Sequence, residues 1–236
     1  MFISEKTYIT KDKKMFDLIV ENHSLLLCLQ HFEIDFAVGG KTVDELCLEN
    51  NIDPGAFIIV ANLYNGFMPE DHALNTIKNI HSVLLFLKKS HSYYVRDKYP
   101  ELKYYLEKLK NNLNSKDHQL IERFFNEYFE EVMEHLKYED EVAFPYFKSI
   151  QHAHETREKN SFSVNEYRNH HTDIETKLTD LKNLFLKHIQ LESELNTKRR
   201  FLTTLFELEF DLKIHSFIEE RVLIPVIERL EAELNG

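Results

Sequence analysis

Glycine, proline and cysteine are scarce in this sequence. Its 236 residues include five Gly, five Pro, two Cys and no Trp. So few turn-forming residues, set against abundant Leu, Glu, Lys, Asn and Phe, favour long helices over many short strands. Cys28 and Cys47 lie in apolar helical contexts, which indicates neither a disulfide framework nor a cysteine-based zinc site, and we expect buried thiols. The fold class is predicted to be all-α.

A net positive charge and long apolar runs are also lacking. The formal net charge is −11, and no long basic stripe appears that could bind phosphates, so a nucleic-acid partner is disfavoured. Apolar runs such as residues 57–64 are too short to span a bilayer, and residues 1–14 lack the apolar core of a signal peptide. We expect a cytoplasmic protein that binds neither nucleic acid nor membrane.

Residues 1–67 predict a small N-terminal domain of about three helices. Apolar residues recur at helical spacing over 14–32. Thr42 is a plausible N-cap for a second helix, and Asp53-Pro54 opens a third that ends near residue 65. The polar, proline-containing stretch 68–76 is the expected domain boundary.

Four long helical patterns follow and predict an up-down four-helix bundle over residues 75–233. Pro100 is expected to kink or restart the first pattern after Tyr99. Ser163 and Glu166 have capping-box spacing at the start of the third pattern, and the polar segment 151–162 before it predicts a long surface connection. The patterns cover residues 77–112, 115–150, 163–191 and 195–233.

The bundle contains an internal repeat with an offset of 80 residues. The segment HLKYEDEVAFP begins at His135, and HSFIEERVLIP begins at His215. The same offset aligns His91 with His171. The sequence therefore predicts two similar helical hairpins, each with one His on its first helix and the motif H-x-x-x-E on its second.

The repeated histidines and glutamates predict a metal centre. Residues four apart in a helix point in the same direction, so each H-x-x-x-E offers two ligands to one point. Six inward side chains are too many for one ion but suit two, each held by two His, with both carboxylates shared and positions left open for water or a small gas. Imidazole and carboxylate without thiolate favour iron over manganese or zinc. The predicted ligands are His91, His135, Glu139, His171, His215 and Glu219.

Other assignments stay open at several positions. A single H-x-x-x-E is usually a solvated helix face, and only the second, matched copy favours metal binding. His170 is an alternative to His171 if the register slips by one residue. Asp140 and Glu220 are expected to be exposed or to contact the ligands rather than bind metal. We expect surface or core positions for the remaining histidines, which lie outside these matched motifs: His23, His31, His72, His81, His118, His152, His154 and His188.

These motifs resemble the hemerythrin-like (HHE cation-binding) domain, and specifically the di-iron proteins that repair iron–sulfur centres. The resemblance covers roughly residues 75–233. It is carried by SHSYYVRDKYPEL, HLKYEDEVAFP, HHTDIETKLTDL and HSFIEERVLIP. It implies two iron ions bridged by Glu139 and Glu219. The ligands that it implies are the six residues that the spacing selects.

The N-terminal module looks like the small domain that precedes the bundle in these repair proteins. The segment LCLQHFEIDFAVGGKTVDELCLENNID resembles that domain's apolar helix, its I-D-F and G-G-K elements and its second, cysteine-containing helix. Where the family places two adjacent cysteines, this chain has Ala37 and Val38. A redox or metal-transfer role of that thiol pair is therefore not expected. Cys47 alone matches the later cysteine of the family.

The resemblance implies a non-haem di-iron protein that meets oxidants or nitric oxide and delivers iron to damaged clusters. Its expected partners are iron, O₂ or NO, and iron–sulfur client proteins, and a homodimer stays open. An alternative is reversible binding or sensing of O₂ or NO without repair. A third possibility is an interaction module that has lost its metal, against which the intact set of six ligands argues. The sequence leaves open whether the protein is an enzyme, and it indicates no catalytic residue.

Overall fold

The regular elements that the structure describes are helices. The computed structural model describes residues 6–110, 113, 115–156, 164, 167, 175–190 and 193–235. In these residues the β-type pairing is a single isolated bridge between Lys14 and Thr42. The fold is therefore an all-α helical bundle fold, as the sequence predicts. The boundary between domains at residues 68–76 stays a prediction.

The contacts divide the chain into two compact units. The first unit consists of Met1–Ser90, Phe144–Val164 and Ile214–Gly236. The second consists of His91–Ala143 and Asn165–Lys213.

Within residues 6–67 the structure has four helices, one more than the sequence predicts. Its helices are α1 (Met15–Glu21), α2 (Leu25–His31), α3 (Val43–Glu49) and α4 (Pro54–Tyr64). The helical pattern over 14–32 is interrupted because Asn22 is buried and makes long-range bonds. Its side chain donates to the Tyr64 carbonyl at 3.0 Å and to Asn65 Oδ1 at 2.8 Å. These bonds stabilise Asn22 in an extended backbone conformation, so α1 ends at Glu21.

The starts of α3 and α4 follow the predicted caps. Thr42 and Glu45 form a reciprocal capping box at α3, which satisfies two backbone N–H groups that a helix start leaves open. Asp53 caps α4, where its Oδ1 accepts from the Ala56 N–H at 2.9 Å. Its Oδ2 accepts from the backbone N–H groups of Lys78 and Asn79 at 3.0 and 3.1 Å. Asp53 therefore fixes both the helix start and the connection that leads to the bundle.

Helices occupy the described parts of all four long patterns of the bundle, and a short π segment interrupts the first, second and fourth of them. A 3₁₀ turn, Asp71–Thr76, precedes them. The segment predicted as a surface connection is helical up to Thr156, while Ser163 and Glu166 lie outside the described residues. Within the described part of the chain, no helix combines the length and apolarity needed to cross a membrane. The helices are α5 (His81–Tyr93), α6 (Tyr99–Leu109), α7 (Ser115–Tyr138), α8 (Phe144–Thr156), α9 (Glu175–Lys187), α10 (Leu195–Ile218) and α11 (Ile224–Asn235).

The interruptions are π segments, and each ends two residues before a proline. They are Tyr94–Lys98, Glu139–Ala143 and Glu219–Leu223, and the prolines are Pro100, Pro145 and Pro225. A proline in a helix has no N–H to donate, and its ring crowds the carbonyl four residues earlier, so a regular α-turn cannot pass through it undistorted. We attribute the π segments to these prolines. Wide turns of this kind are frequent at functional sites.

In the first unit, the N-terminal helices pack against the beginning of α5. The Phe86 ring lies 5.1 Å from Phe32, 6.3 Å from Tyr64 and, edge-on, 5.0 Å from His31. Ser82 Oγ accepts from the backbone N–H of Asp53 at 2.9 Å. The N-terminal module therefore supports the helix that carries Ser90 and His91.

In the second unit, a buried cation holds α10 beside the π segment that follows α5. Lys98 Nζ lies 2.9 Å from Glu207 Oε1 and 3.1 Å from Glu101 Oε2. Tyr93 OH donates to Glu207 Oε1 at 2.6 Å. Burial by itself would lower the pKa of Lys98, but its bonds to Glu207 and Glu101 outweigh burial and raise that pKa. Lys98 is therefore a charged ammonium at neutral pH.

We expect Lys98→Met to lower the free energy of unfolding by about 1–2 kcal/mol, because it removes a charged hydrogen-bond donor from two partly exposed acids. The raised pKa means that this stabilisation is complete below the unfolded value of about 10.4 and is lost only as pH rises further. The difference between wild type and variant should therefore be constant from about pH 6 to 9. Urea denaturation measures it. Lys110→Met is the control, because Lys110 Nζ lies 3.9 Å from Glu107 Oε2 in an exposed ion pair. An equal loss of unfolding free energy in both variants would contradict the structural role of Lys98.

Candidate metal centre

In the second unit, two histidines flank one buried glutamate. His91 lies near the end of α5, His135 lies near the end of α7, and Glu139 opens the next π segment. His91 Nε2 is 3.3 Å from Glu139 Oε2, and His135 Nε2 is 3.3 Å from Glu139 Oε1. Their exposed fractions are 3%, 8% and 0%. Both imidazoles therefore direct Nε2 toward the same carboxylate.

In the first unit, His215 and Glu219 repeat the arrangement of His135 and Glu139. His215 lies in the last turn of α10, and Glu219 opens the π segment after it. His215 Nε2 is 3.2 Å from Glu219 Oε1, and both side chains are buried. The 80-residue repeat in the sequence is thus a repeat of local geometry as well.

The sixth predicted ligand, His171, lies outside the described residues, and so does its alternative, His170. Among the histidines expected to have no metal role, His31 is buried in the core beside Phe86, whereas His72 is exposed. Both placements agree with that expectation.

Two residues that contact these histidines and glutamates differ in how well the sequence reveals them. Tyr167 OH donates to Glu139 Oε1 at 2.8 Å and is buried. The position 80 residues before Tyr167 is Leu87, so the repeat gives no signal for this tyrosine. Asp140 Oδ1 lies 3.2 Å from His91 Nδ1, which is one of the two roles that the sequence left open for it. Its repeat counterpart, Glu220, is exposed.

A cleft of about 410 Å³ opens beside His91 in the second unit. Its lining includes Ser92, Arg96, Met133 and Asp140. Because the cleft reaches His91 and Asp140, a small molecule can approach this edge of the candidate site from solvent.

The chemistry of these residues suits a metal cation. Glu139 and Glu219 have no exposed surface, and a buried carboxylate costs several kcal/mol unless hydrogen bonds or a cation offset its lost hydration. Neutral imidazole and carboxylate oxygen are ligands that iron, manganese and zinc all accept. His91, His135, Glu139, His215 and Glu219 each belong to a group of side chains that could hold a metal ion. The residues that the structure describes at this site therefore fit a metal cation.

Comparison with known families agrees with this chemistry. The model of the hemerythrin HHE cation-binding domain matches residues 86–227, which is more than half of the chain. The chain belongs to the hemerythrin HHE family. The HHE match spans all six predicted ligand positions and begins after the N-terminal helices. Searches of curated proteins and of solved structures found no match. Membership of the HHE family makes this a cation-binding protein, and the metal of that domain is typically iron.

The two cysteines lie apart from this chemistry. Cys28 and Cys47 are buried in α2 and α3, and neither forms a disulfide. Burial, with smaller contributions from the charges of Asp44 and Asp53, raises the pKa of Cys47 to about 12. The thiolate is the nucleophile and the metal ligand, so Cys47 is an unreactive protonated thiol at neutral pH.

We therefore expect Cys47 to react with a disulfide reagent such as DTNB only when the protein unfolds. Native protein should release far less thionitrobenzoate at pH 8 than protein in guanidinium, in which both thiols are accessible. Cys28→Ser isolates the signal of Cys47. Rapid labelling of Cys47 in the native Cys28→Ser variant would show that the thiol is accessible and ionised, against this prediction.

Proposed function

We propose that this HHE protein binds two iron ions and acts in repair of iron–sulfur centres after oxidative or nitrosative damage. His91, His135, His171 and His215 would supply imidazole nitrogens. Glu139 and Glu219 would supply carboxylates shared by both ions. We further propose a cytoplasmic location, iron–sulfur proteins as clients, no nucleic-acid or membrane partner, and a homodimer as the assembly to be tested.

One observation carries this proposal. Two buried His–Glu pairs, four residues apart and offset by 80 residues, each place Nε2 of the imidazole 3.2–3.3 Å from a carboxylate oxygen. The sequence repeat extends this pattern to His91 and His171, so that each half of the bundle provides two histidines and one glutamate. Four imidazoles and two carboxylates are enough ligands for two ions and more than a single ion needs.

The protein's own residues have defined tasks in this proposal. His91, His135 and His215 direct Nε2 toward a carboxylate, and each would bind a metal through the lone pair of that nitrogen. Because the two glutamates are buried, water would not compete with the metal for their charge. Tyr167 donates to Glu139 Oε1 and thereby fixes the orientation of that carboxylate. Bound ferrous iron would supply open coordination positions and reducing electrons. The cleft beside His91 offers O₂ or NO a route from solvent.

Metal analysis tests the di-iron part of the proposal. Protein purified anaerobically should contain about two iron ions per chain, as set by the number of ligands. A content near one or none after loading with ferrous iron would contradict it.

The repair part of the proposal needs a second assay, in which iron-loaded protein is mixed with an enzyme whose cluster has been nitrosylated. Recovery of the enzyme beyond that given by the same amount of free iron supports repair, and equal recovery refutes it.

A second candidate function is reversible binding or sensing of O₂ or NO. Two features favour it: the cleft beside His91, and the replacement of the family's adjacent cysteines by Ala37 and Val38. Stopped-flow spectra after mixing the diferrous protein with O₂ separate the candidates. A stable oxygenated adduct supports carriage or sensing, whereas rapid irreversible oxidation excludes it.

A further inference from the structure

Ser90 lies immediately before His91 in α5, is fully buried, and contacts another predicted ligand. Its Oγ is 2.8 Å from His215 Nδ1. We infer that Ser90 is a positioning residue that fixes the tautomer and ring orientation of His215, so that Nε2 is the atom available to a metal. The inference rests on the proposed function, in which His215 is a ligand.

The position of one proton decides the direction of this hydrogen bond. The Ser90 hydroxyl donates to the Leu87 carbonyl at 2.7 Å. A serine hydroxyl has a single proton but two acceptor lone pairs, so Ser90 Oγ accepts from His215 and Nδ1 carries the hydrogen. A neutral imidazole with its hydrogen on Nδ1 has its lone pair on Nε2, the atom that lies 3.2 Å from Glu219 Oε1.

At His91 the group near Nδ1 is a carboxylate rather than a hydroxyl. There the Nδ1 side faces the carboxylate oxygen of Asp140 at 3.2 Å, while Nε2 faces Glu139. Metal-binding histidines commonly donate their second ring N–H to a carboxylate, a carbonyl or another polar group. Both histidines therefore direct Nε2 toward a glutamate, while the group near Nδ1 differs: a hydroxyl at His215 and a carboxylate at His91.

Ser82 provides a matched control for Ser90. Both serines are buried in α5, with exposed fractions of 3% and 0%. Ser82 accepts from the backbone N–H of Asp53, so its role is to hold the N-terminal module. Replacing either serine by alanine removes one hydroxyl from the same helix, but only Ser90→Ala removes the partner of His215.

Two measurements test the inference. The first is the affinity for ferrous iron, determined anaerobically by competition with a chelator for wild type, Ser90→Ala and Ser82→Ala. We expect Ser90→Ala to weaken binding about 10- to 100-fold, and Ser82→Ala to stay within about threefold of wild type.

The second measurement is the tautomer of His215 in the metal-free protein, read from ¹⁵N–¹H correlation spectra. Wild type and Ser82→Ala should carry the hydrogen on Nδ1, and Ser90→Ala should gain the Nε2–H form. Thermal melts of the metal-free proteins verify folding.

The outcomes separate this inference from the proposed function. Wild-type affinity and an unchanged tautomer in Ser90→Ala would overturn it, and so would an equal loss of affinity in Ser82→Ala, because the effect would then act through the helix. If wild type binds no iron at all, the proposed function fails. The tautomer in metal-free protein still decides whether Ser90 fixes His215.

Discussion

Glu139→Gln is expected to abolish the stabilisation that the protein gains from ferrous iron. At a free iron concentration about 100 times the dissociation constant, binding raises the free energy of unfolding of the wild type by about 2.7 kcal/mol. The amide of glutamine has no negative charge to share between cations, and its NH₂ group repels them. In metal-free protein we expect a change of about 1 kcal/mol or less, because the amide oxygen can still accept from Tyr167. Anaerobic thermal unfolding with and without iron measures both quantities.

Glu219→Gln should behave in the same way, since Glu219 has the same place in the repeat and is equally buried. Glu220→Gln makes the identical chemical change at an exposed neighbour and should keep the full response to iron. If Glu139→Gln retained the iron-dependent shift of the wild type, the carboxylate would not be a ligand, and the metal centre proposed for this HHE domain would have to be abandoned.

Gly55→Ala is expected to lower the free energy of unfolding by about 1–3 kcal/mol, the usual range for a side chain forced into filled space. A Cβ at Gly55, in the first turn of α4, would lie 2.7 Å from the carbonyl carbon of Thr76. That neighbour is backbone, and Asp53 holds the same connection through the N–H groups of Lys78 and Asn79. The connection therefore cannot retreat without breaking these bonds. Urea denaturation gives the free-energy difference.

Gly40→Ala is the matched control, since a Cβ added there has no heavy atom within 4 Å. It should change the free energy of unfolding by no more than about 0.5 kcal/mol, as at other open surface positions. Equal effects in the two variants would mean that the backbone of Thr76 does not lie against Gly55 of α4.

Local sequence chemistry accounts for most of the helices. The caps at Thr42 and Asp53 and the prolines of the bundle act on neighbours within about one helical turn, so residue order alone encodes them. The prediction of a single helix over residues 14–32 is wrong, because a long-range contact interrupts the helix. Asn22 is an ordinary helix residue by spacing, and it ends α1 only because its amide reaches Tyr64 and Asn65 on α4 and just after it.

The candidate metal centre of this HHE protein likewise depends partly on residue order and partly on long-range packing. The sequence by itself determined that His135 and Glu139, and likewise His215 and Glu219, point in one direction, because residues four apart share a helix face. Only the tertiary structure decided what surrounds them: Tyr167 on Glu139, Asp140 on His91 and Ser90 on His215. Ser90 and His215 are 125 residues apart. No local period connects such residues, and their contact exists only once the packing of helices has selected which side chains meet.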